Sequence, residues 1–252
     1  DLFDRVRRPD VLFAGMMEYD GDLHVPKRYL VSPPAIDRTL GEYLAKNRVT
    51  QLAVSETQKF GHVTYFWNGN RSGMFDEQYE KYIEVPSDRI SFDLKPWMKA
   101  AEITDTVIAE LRTGKVRHAR LNYANGDMVG HTGHRDAAVL AVQTVDLMLG
   151  RLLPVIAELE GAILVTADHG NADEMFEVDK KAKSFAKDAH GAPKAKTSHT
   201  LNPVPLHVYA PGHQLAIDTS VSVPKLSNIA ATTLQLLGYE APEGFDSGLL
   251  KL

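Results

Sequence analysis

With 252 residues, 44% of them hydrophobic and 24% charged, the chain can form one large or two small globular domains with a sizeable core. Its formal charge of −5 gives no general attraction for nucleic acid or an anionic membrane. The absence of cysteine excludes a disulfide scaffold, a thiolate nucleophile and a cysteine-rich zinc site, and sits comfortably with a reducing compartment.

No uninterrupted apolar run approaches the roughly 20 residues of a membrane span, and no signal peptide is visible. The first residue is Asp1 and not Met, so a processed or partial polypeptide is expected.

Strand-like and helix-like patterns alternate along the chain. Residues 10–19 read as a strand, and residues 30–34, with Pro33 and Pro34, as a stiff linker and domain boundary. Ile36, Leu40 and Leu44 recur at helical spacing, which predicts a helix over 36–47. Residues 51–55 form a short apolar strand, and Ile83 to Pro86 close another. A helix is expected over 97–111, ended by Thr113-Gly114, then a strand over 118–123. Residues 135–159 read as a long amphipathic helix interrupted near Gly150 and Pro154. Strands follow at 162–166 and 204–209, and a last helix over 227–237, capped by Ser227 and stopped by Gly238. Strands separated by helices argue for an α/β fold with a parallel or mixed sheet covered on both faces. Residues 179–196 are lysine-rich and weakly patterned, a surface insertion.

Three loops carry the chemistry: Asn125-Gly-Asp-Met-Val-Gly-His131, Ala167-Asp-His-Gly-Asn171 and Thr197-Ser-His-Thr200. Carboxylate and imidazole without thiolate suit Mn²⁺, Zn²⁺, Co²⁺ or Mg²⁺. Asp127, His131, Asp168, His169 and His199 outnumber what one open catalytic ion needs and approach the requirement of two. Asp127 and His131 stand four apart, so one helical turn can aim both at the same ion. Asp168 and His169 are adjacent, and in extended chain they would point to opposite sides. Both pairs follow strand-like runs, and in open α/β sheets ligands bind beyond the carboxyl ends of strands.

Taken singly, these residues also have plainer roles. Asp127 could cap the turn after Gly126, Asp168 could form an Asx turn, and a histidine beside glycine is often only a loop donor. Lys59, just past the strand at 51–55, reads either as a solvated lysine at a helix start or as a cation that reaches a phosphate. His62 reads as structural. His134 could orient His131, though a structural role is the simpler reading. His190 and the run Lys180-Lys-Ala-Lys183 read as surface, Trp67 and Trp97 as packing residues.

At these positions the chain resembles the cofactor-independent (2,3-bisphosphoglycerate-independent) phosphoglycerate mutases, members of the alkaline phosphatase-like superfamily of two-metal enzymes. The resemblance is carried, in order, by Ser55 to Gly69, Asn122 to Gly133, Thr166 to Ala172 and Thr197 to Pro205. The long stretch before His199 is similar to that of plant and trypanosomatid members. The resemblance implies a mostly parallel sheet with helices on both faces, incomplete in this chain. Residues 1–32 would end an inserted phosphotransferase domain and its hinge, and 33–252 would form the C-terminal portion of the metal-binding domain.

It further implies that Asp127, His131 and His199 hold one ion and Asp168 and His169 a second, with Mn or Co ahead of Mg or Zn. Lys59 would contact the transferring phosphate. The family interconverts 3-phosphoglycerate and 2-phosphoglycerate through a phosphoserine, without bound 2,3-bisphosphoglycerate, and its nucleophilic serine would lie outside these residues. The implied partners are the substrate and the N-terminal remainder of the same protein, in a cytoplasmic monomer that binds neither nucleic acid nor membrane. The alternatives are a phosphopentomutase, a phosphate-ester hydrolase, or a metal-binding fragment without catalysis.

Overall fold

The structure, a computed structural model, describes residues 4, 6–7, 9–18, 24–34, 36–179 and 181–251. The N-terminal strands β1 (Gly15–Met17) and β2 (Tyr29–Val31) form a small parallel pair. The expected linker at 30–34 therefore begins inside a strand, and of the expected strand over 10–19, whose Tyr19 lies outside the described residues, Gly15–Met17 pair. Helix α1 (Leu40–Lys46) starts later than predicted. The Thr39 hydroxyl accepts from the Glu42 N–H (3.3 Å), and Glu42 reaches back to the Arg38 N–H (2.7 Å), a local signal that outweighs the apolar spacing from Ile36.

Next come β3 (Gln51–Glu56), α2 (Thr57–Val63), β4 (Glu80–Val85), α3 (Ala100–Leu111) and β5 (His118–Asn122). The three strands form one parallel sheet in the order β4-β3-β5, with Gln51 opposite both Glu80 and His118. Every residue of β3 is buried. Strand geometry sends alternate side chains to opposite faces. Leu52 and Val54 pack with Ile103, Val107 and Leu152 on one face. On the other face the Gln51 amide donates to the Gly41 carbonyl (3.1 Å) and Arg120 Nε donates to the Val63 carbonyl (2.7 Å). Helices thus cover both faces, as the strand–helix alternation predicts.

The chain continues through α4 (Asn125–Gly130), α5 (Arg135–Glu158) and β6 (Ile163–Thr166). Helix α5 runs through Gly150 and Pro154 without the expected interruption. Pro154 lies in the last turns, where the missing N–H costs a single bond, to the carbonyl of Gly150. By length and average composition alone, α5 is long and apolar enough to cross a membrane. Its alanines, valines and leucines raise the average without forming an unbroken run. It buries Ala137, Ala138, Ala141, Leu152, Val155 and Ile156 in the fold.

Within the weakly patterned stretch expected to be a surface insertion, β7 (Val178–Asp179) and β8 (Ser184–Phe185) pair as a hairpin. Antiparallel bridges at Phe176–Ala195 and Lys187–Pro193 extend it, and the rings of Phe176 and Phe185 meet at 5.2 Å. Lys180 lies outside the described residues, while Lys181, Lys183 and His190 are exposed as expected. Strand β9 (Leu206–Tyr209) pairs antiparallel with β6, making the fold mixed and not wholly parallel. Strand β10 (Ala216–Ile217), helix α6 (Asn228–Leu237) and strand β11 (Leu250–Lys251) complete the chain. Ser227 does not cap α6, because its hydroxyl bonds Asp246; Gly238 stops the helix as predicted, at φ 79°. Trp67 packs between α1 and α6, whereas Trp97 is 47% exposed and not the packing residue expected.

Candidate metal centre

Each loop of the site leaves the same edge of the fold. α2 begins directly after β3, α4 follows β5, and Asp168 follows β6. Because β9 runs antiparallel to β6, with Thr166 opposite Leu206, the residues before β9 lie at that edge too. A bridge between Gly170 and Thr200 joins the two loops. His199 is thereby brought to ligands far away in sequence.

Asp127 is the hub. Its Oδ1 lies 3.0 Å from His131 Nε2 and 3.1 Å from His199 Nε2, and those two nitrogens are 3.1 Å apart. Its Oδ2 forms an ion pair with Lys59 Nζ. Lys59 is only 7% exposed, so the solvated-surface reading of this lysine does not hold. Burial pushes the Asp127 pKa up, but hydrogen bonds from Lys59 and the Asn171 amide, with the charge of Lys59, outweigh it and bring the value down to about 2. Asp127 is therefore a carboxylate at neutral pH.

His131 Nδ1 lies 2.6 Å from the Thr197 carbonyl oxygen. A carbonyl only accepts, so Nδ1 carries a proton and Nε2 is the nitrogen that faces Asp127. An Nε2 and a carboxylate oxygen 3.0 Å apart need a cation or a proton between them. The donor set therefore fits a divalent ion held by oxygen and nitrogen. The rings of His169 and His199 stack at 3.7 Å, and Asp127, His169 and His199 offer donor atoms within 4.8 Å of one another. His169 thus stands close to the group expected for the first ion as well as to Asp168. The Asp168 side chain is 56% exposed at the rim, with its Oδ2 3.6 Å from His169 Nε2.

His62, expected to be structural, packs its ring edge-on against Phe66 at 5.1 Å, and its pKa is lowered by burial and then by the charge of Lys59, with Asp168 and Asp127 opposing. One residue here escaped the sequence reading. Asn171 donates from Nδ2 to Asp127 Oδ1 (2.9 Å) and to the Asp127 carbonyl (3.2 Å). His134, by contrast, caps α5, with Nδ1 accepting from the Ala137 N–H at 3.2 Å.

Comparison with known proteins agrees with this picture. The sequence profile of the metalloenzyme superfamily matches residues 15–241. A probable 2,3-bisphosphoglycerate-independent phosphoglycerate mutase of Leptospira interrogans is 53% identical over 251 residues, covering 100% of this chain and 46% of the relative. The 2,3-bisphosphoglycerate-independent phosphoglycerate mutase of Trypanosoma brucei brucei is 47% identical over 254 residues, with the same coverages. A crystal structure of Leishmania mexicana phosphoglycerate mutase at low cobalt concentration superimposes with a TM-score of 0.93 at 48% identity, over 100% of this chain and 46% of that one. The chain spans about half the length of the curated relatives it matches. Its fold is alkaline phosphatase-like, a mixed α/β arrangement built on a parallel sheet. A profile match over most of the chain, with this donor cluster at its centre, establishes that the chain belongs to the metalloenzyme superfamily.

Proposed function

We propose that the protein carrying this chain interconverts 3-phosphoglycerate and 2-phosphoglycerate through a phosphoserine intermediate, without 2,3-bisphosphoglycerate as a cofactor. The observation that carries the reading is the triangle of Asp127 Oδ1, His131 Nε2 and His199 Nε2 beside the buried Lys59 ammonium. The relatives named above supply the substrate.

In this reading Asp127, His131 and His199 hold one divalent ion, and Asp168 and His169 a second, with Mn²⁺ or Co²⁺ ahead of Mg²⁺ or Zn²⁺. Such ions, when bound, supply Lewis-acid activation of an attacking oxygen and neutralise phosphoryl charge. Phosphoryl transfer asks a protein mainly for positioning and charge stabilisation. Lys59 provides a cation in a sheltered place, where its field is weakly screened. Thr197 holds the His131 ring in one tautomer, and the low pKa of Asp127 keeps the carboxylate charged throughout the working pH range. The serine that takes the phosphoryl group lies outside these residues. Residues 1–32 belong to the end of a second domain and its hinge, and 33–252 to the metal-binding domain. A cytoplasmic setting accompanies a glycolytic reaction of this kind.

The test uses the whole protein loaded with Mn²⁺ or Co²⁺ and supplied with 3-phosphoglycerate, followed by ³¹P NMR. Appearance of 2-phosphoglycerate, abolished by chelation and independent of added 2,3-bisphosphoglycerate, is expected. Release of inorganic phosphate without 2-phosphoglycerate would overturn the reading in favour of hydrolysis.

A further inference from the structure

The loop after His169 reaches into both of the other ligand loops. Asn171 is 4% exposed, and its Nδ2 donates to Asp127 Oδ1 at 2.9 Å and to the Asp127 carbonyl at 3.2 Å. Two residues on, Asp173 Oδ2 accepts from the Thr200 hydroxyl (2.9 Å) and the Asn202 amide (2.7 Å), which ties the same loop to the one that carries His199. The approach of α4 is close. A Cβ on Gly130 would stand 2.4 Å from Asn171 Oδ1 and 2.8 Å from its Cγ.

We propose that Asn171 is a positioning residue for the metal centre, and that residue 130 is glycine to make room for it. The proposal rests on the metal-site reading above. The oxygen that Asn171 holds, Oδ1, is the one that meets both His131 and His199, while Lys59 holds Oδ2. The carboxylate is thus pinned at both oxygens. With Lys59 alone it could rotate about the Oδ2 contact and carry Oδ1 away from the two imidazoles. An amide suits the task because it donates without bringing a charge to compete for the ion. Groups that orient metal ligands typically change affinity by about 10–100-fold when removed.

Isothermal titration calorimetry of Mn²⁺ into the metal-free whole protein tests this. Asn171→Ala should weaken Mn²⁺ binding by about 10–100-fold while circular dichroism stays unchanged. Gly130→Ala should weaken it in the same way although alanine is the better helix former, so the loss cannot come from a weakened α4. It also decides the matter if Asn171→Ala does not fold. In the double variant the loss should be no larger than in either single variant, because both remove one interaction. Parental affinity in Gly130→Ala or in folded Asn171→Ala, or losses that add in the double variant, would overturn the proposal. Asp127→Ala is the separate control: parental Mn²⁺ binding there would overturn the metal-site reading itself.

Discussion

His118 shows what a single buried side chain does to the whole energy balance. Its ring stacks against Trp67 at 6.2 Å and 26°, and it is 9% exposed. Burial, and then the neighbouring Arg120 guanidinium, push its pKa down from near 6.5 to about 3. The folded protein therefore keeps this imidazole neutral over a range where the unfolded chain protonates it. Stability from this group is complete above the unfolded value and is lost as pH falls from about 6.5 toward 3. The slope cannot exceed about 1.4 kcal/mol per pH unit for one proton. His118→Phe keeps a ring against Trp67 and removes the titration. Urea unfolding at a series of pH values should show a flatter acid limb in the variant, and parallel limbs would mean that His118 does not drive the loss. Lys59 acts at the same scale on chemistry. Lys59→Ala, assayed at saturating Mn²⁺, should lower turnover of the whole protein by about 10²–10³, as removal of other groups that stabilise developing charge does. An unchanged rate would leave Lys59 only its ion pair with Asp127.

Among the elements, two glycines make opposite predictions from the same substitution. Gly150 is exposed within α5, and an added Cβ would meet nothing within 4 Å. Gly150→Ala should stabilise by about 0.5–1 kcal/mol, the cost that glycine carries inside a helix. Gly238 ends α6 at φ 79°, where an L side chain presses on the following carbonyl oxygen. Gly238→Ala should cost about 1–2 kcal/mol. Thermal unfolding reads both, and shifts of the same sign would refute the pair. Their contrast also explains which elements were legible in the sequence. The strand over 51–55, which the structure extends to Glu56, and the Gly238 stop are written in local chemistry, a short apolar stretch and a residue that tolerates positive φ. The true start of α1 turned on a hydroxyl at Thr39 and a carboxylate at Glu42 overriding an apolar period. Ser227 failed as a cap because Asp246, nineteen residues away, takes its hydroxyl. The hairpin over 176–195 depends on Phe176 and Phe185 meeting, a contact between residues whose separate surroundings look polar.

For the whole molecule, what the sequence displayed was the position of the ligands after strands, and what it concealed was how loops meet. The five candidate ligands stood out because Asp and His sit in glycine-rich loops after apolar runs, and the structure gathers four of them within a few ångströms of Asp127 or His199. Asn171 could not be recognised in this way, since its partner lies 44 residues earlier. The assembly also leaves surfaces without neighbours. Among the described residues, β5 pairs only with β3, and β6 only with β9, although α4 and α5 link β5 to β6. On α5, Val142 is 52% and Leu147 66% exposed. Open strand edges and exposed apolar stripes favour association. The curated relatives are about twice as long as this chain. On the proposed reading that the phosphoryl-accepting serine lies in the further residues of the protein, the 252 residues alone are expected to be poorly soluble and inactive as a mutase. Purified chain of confirmed mass, given Mn²⁺ or Co²⁺ and 3-phosphoglycerate, should form no 2-phosphoglycerate at an enzymatic rate and should regain activity only with the remaining part of the protein. Turnover by the 252 residues alone would place a nucleophile within them and end the account of a shared active site.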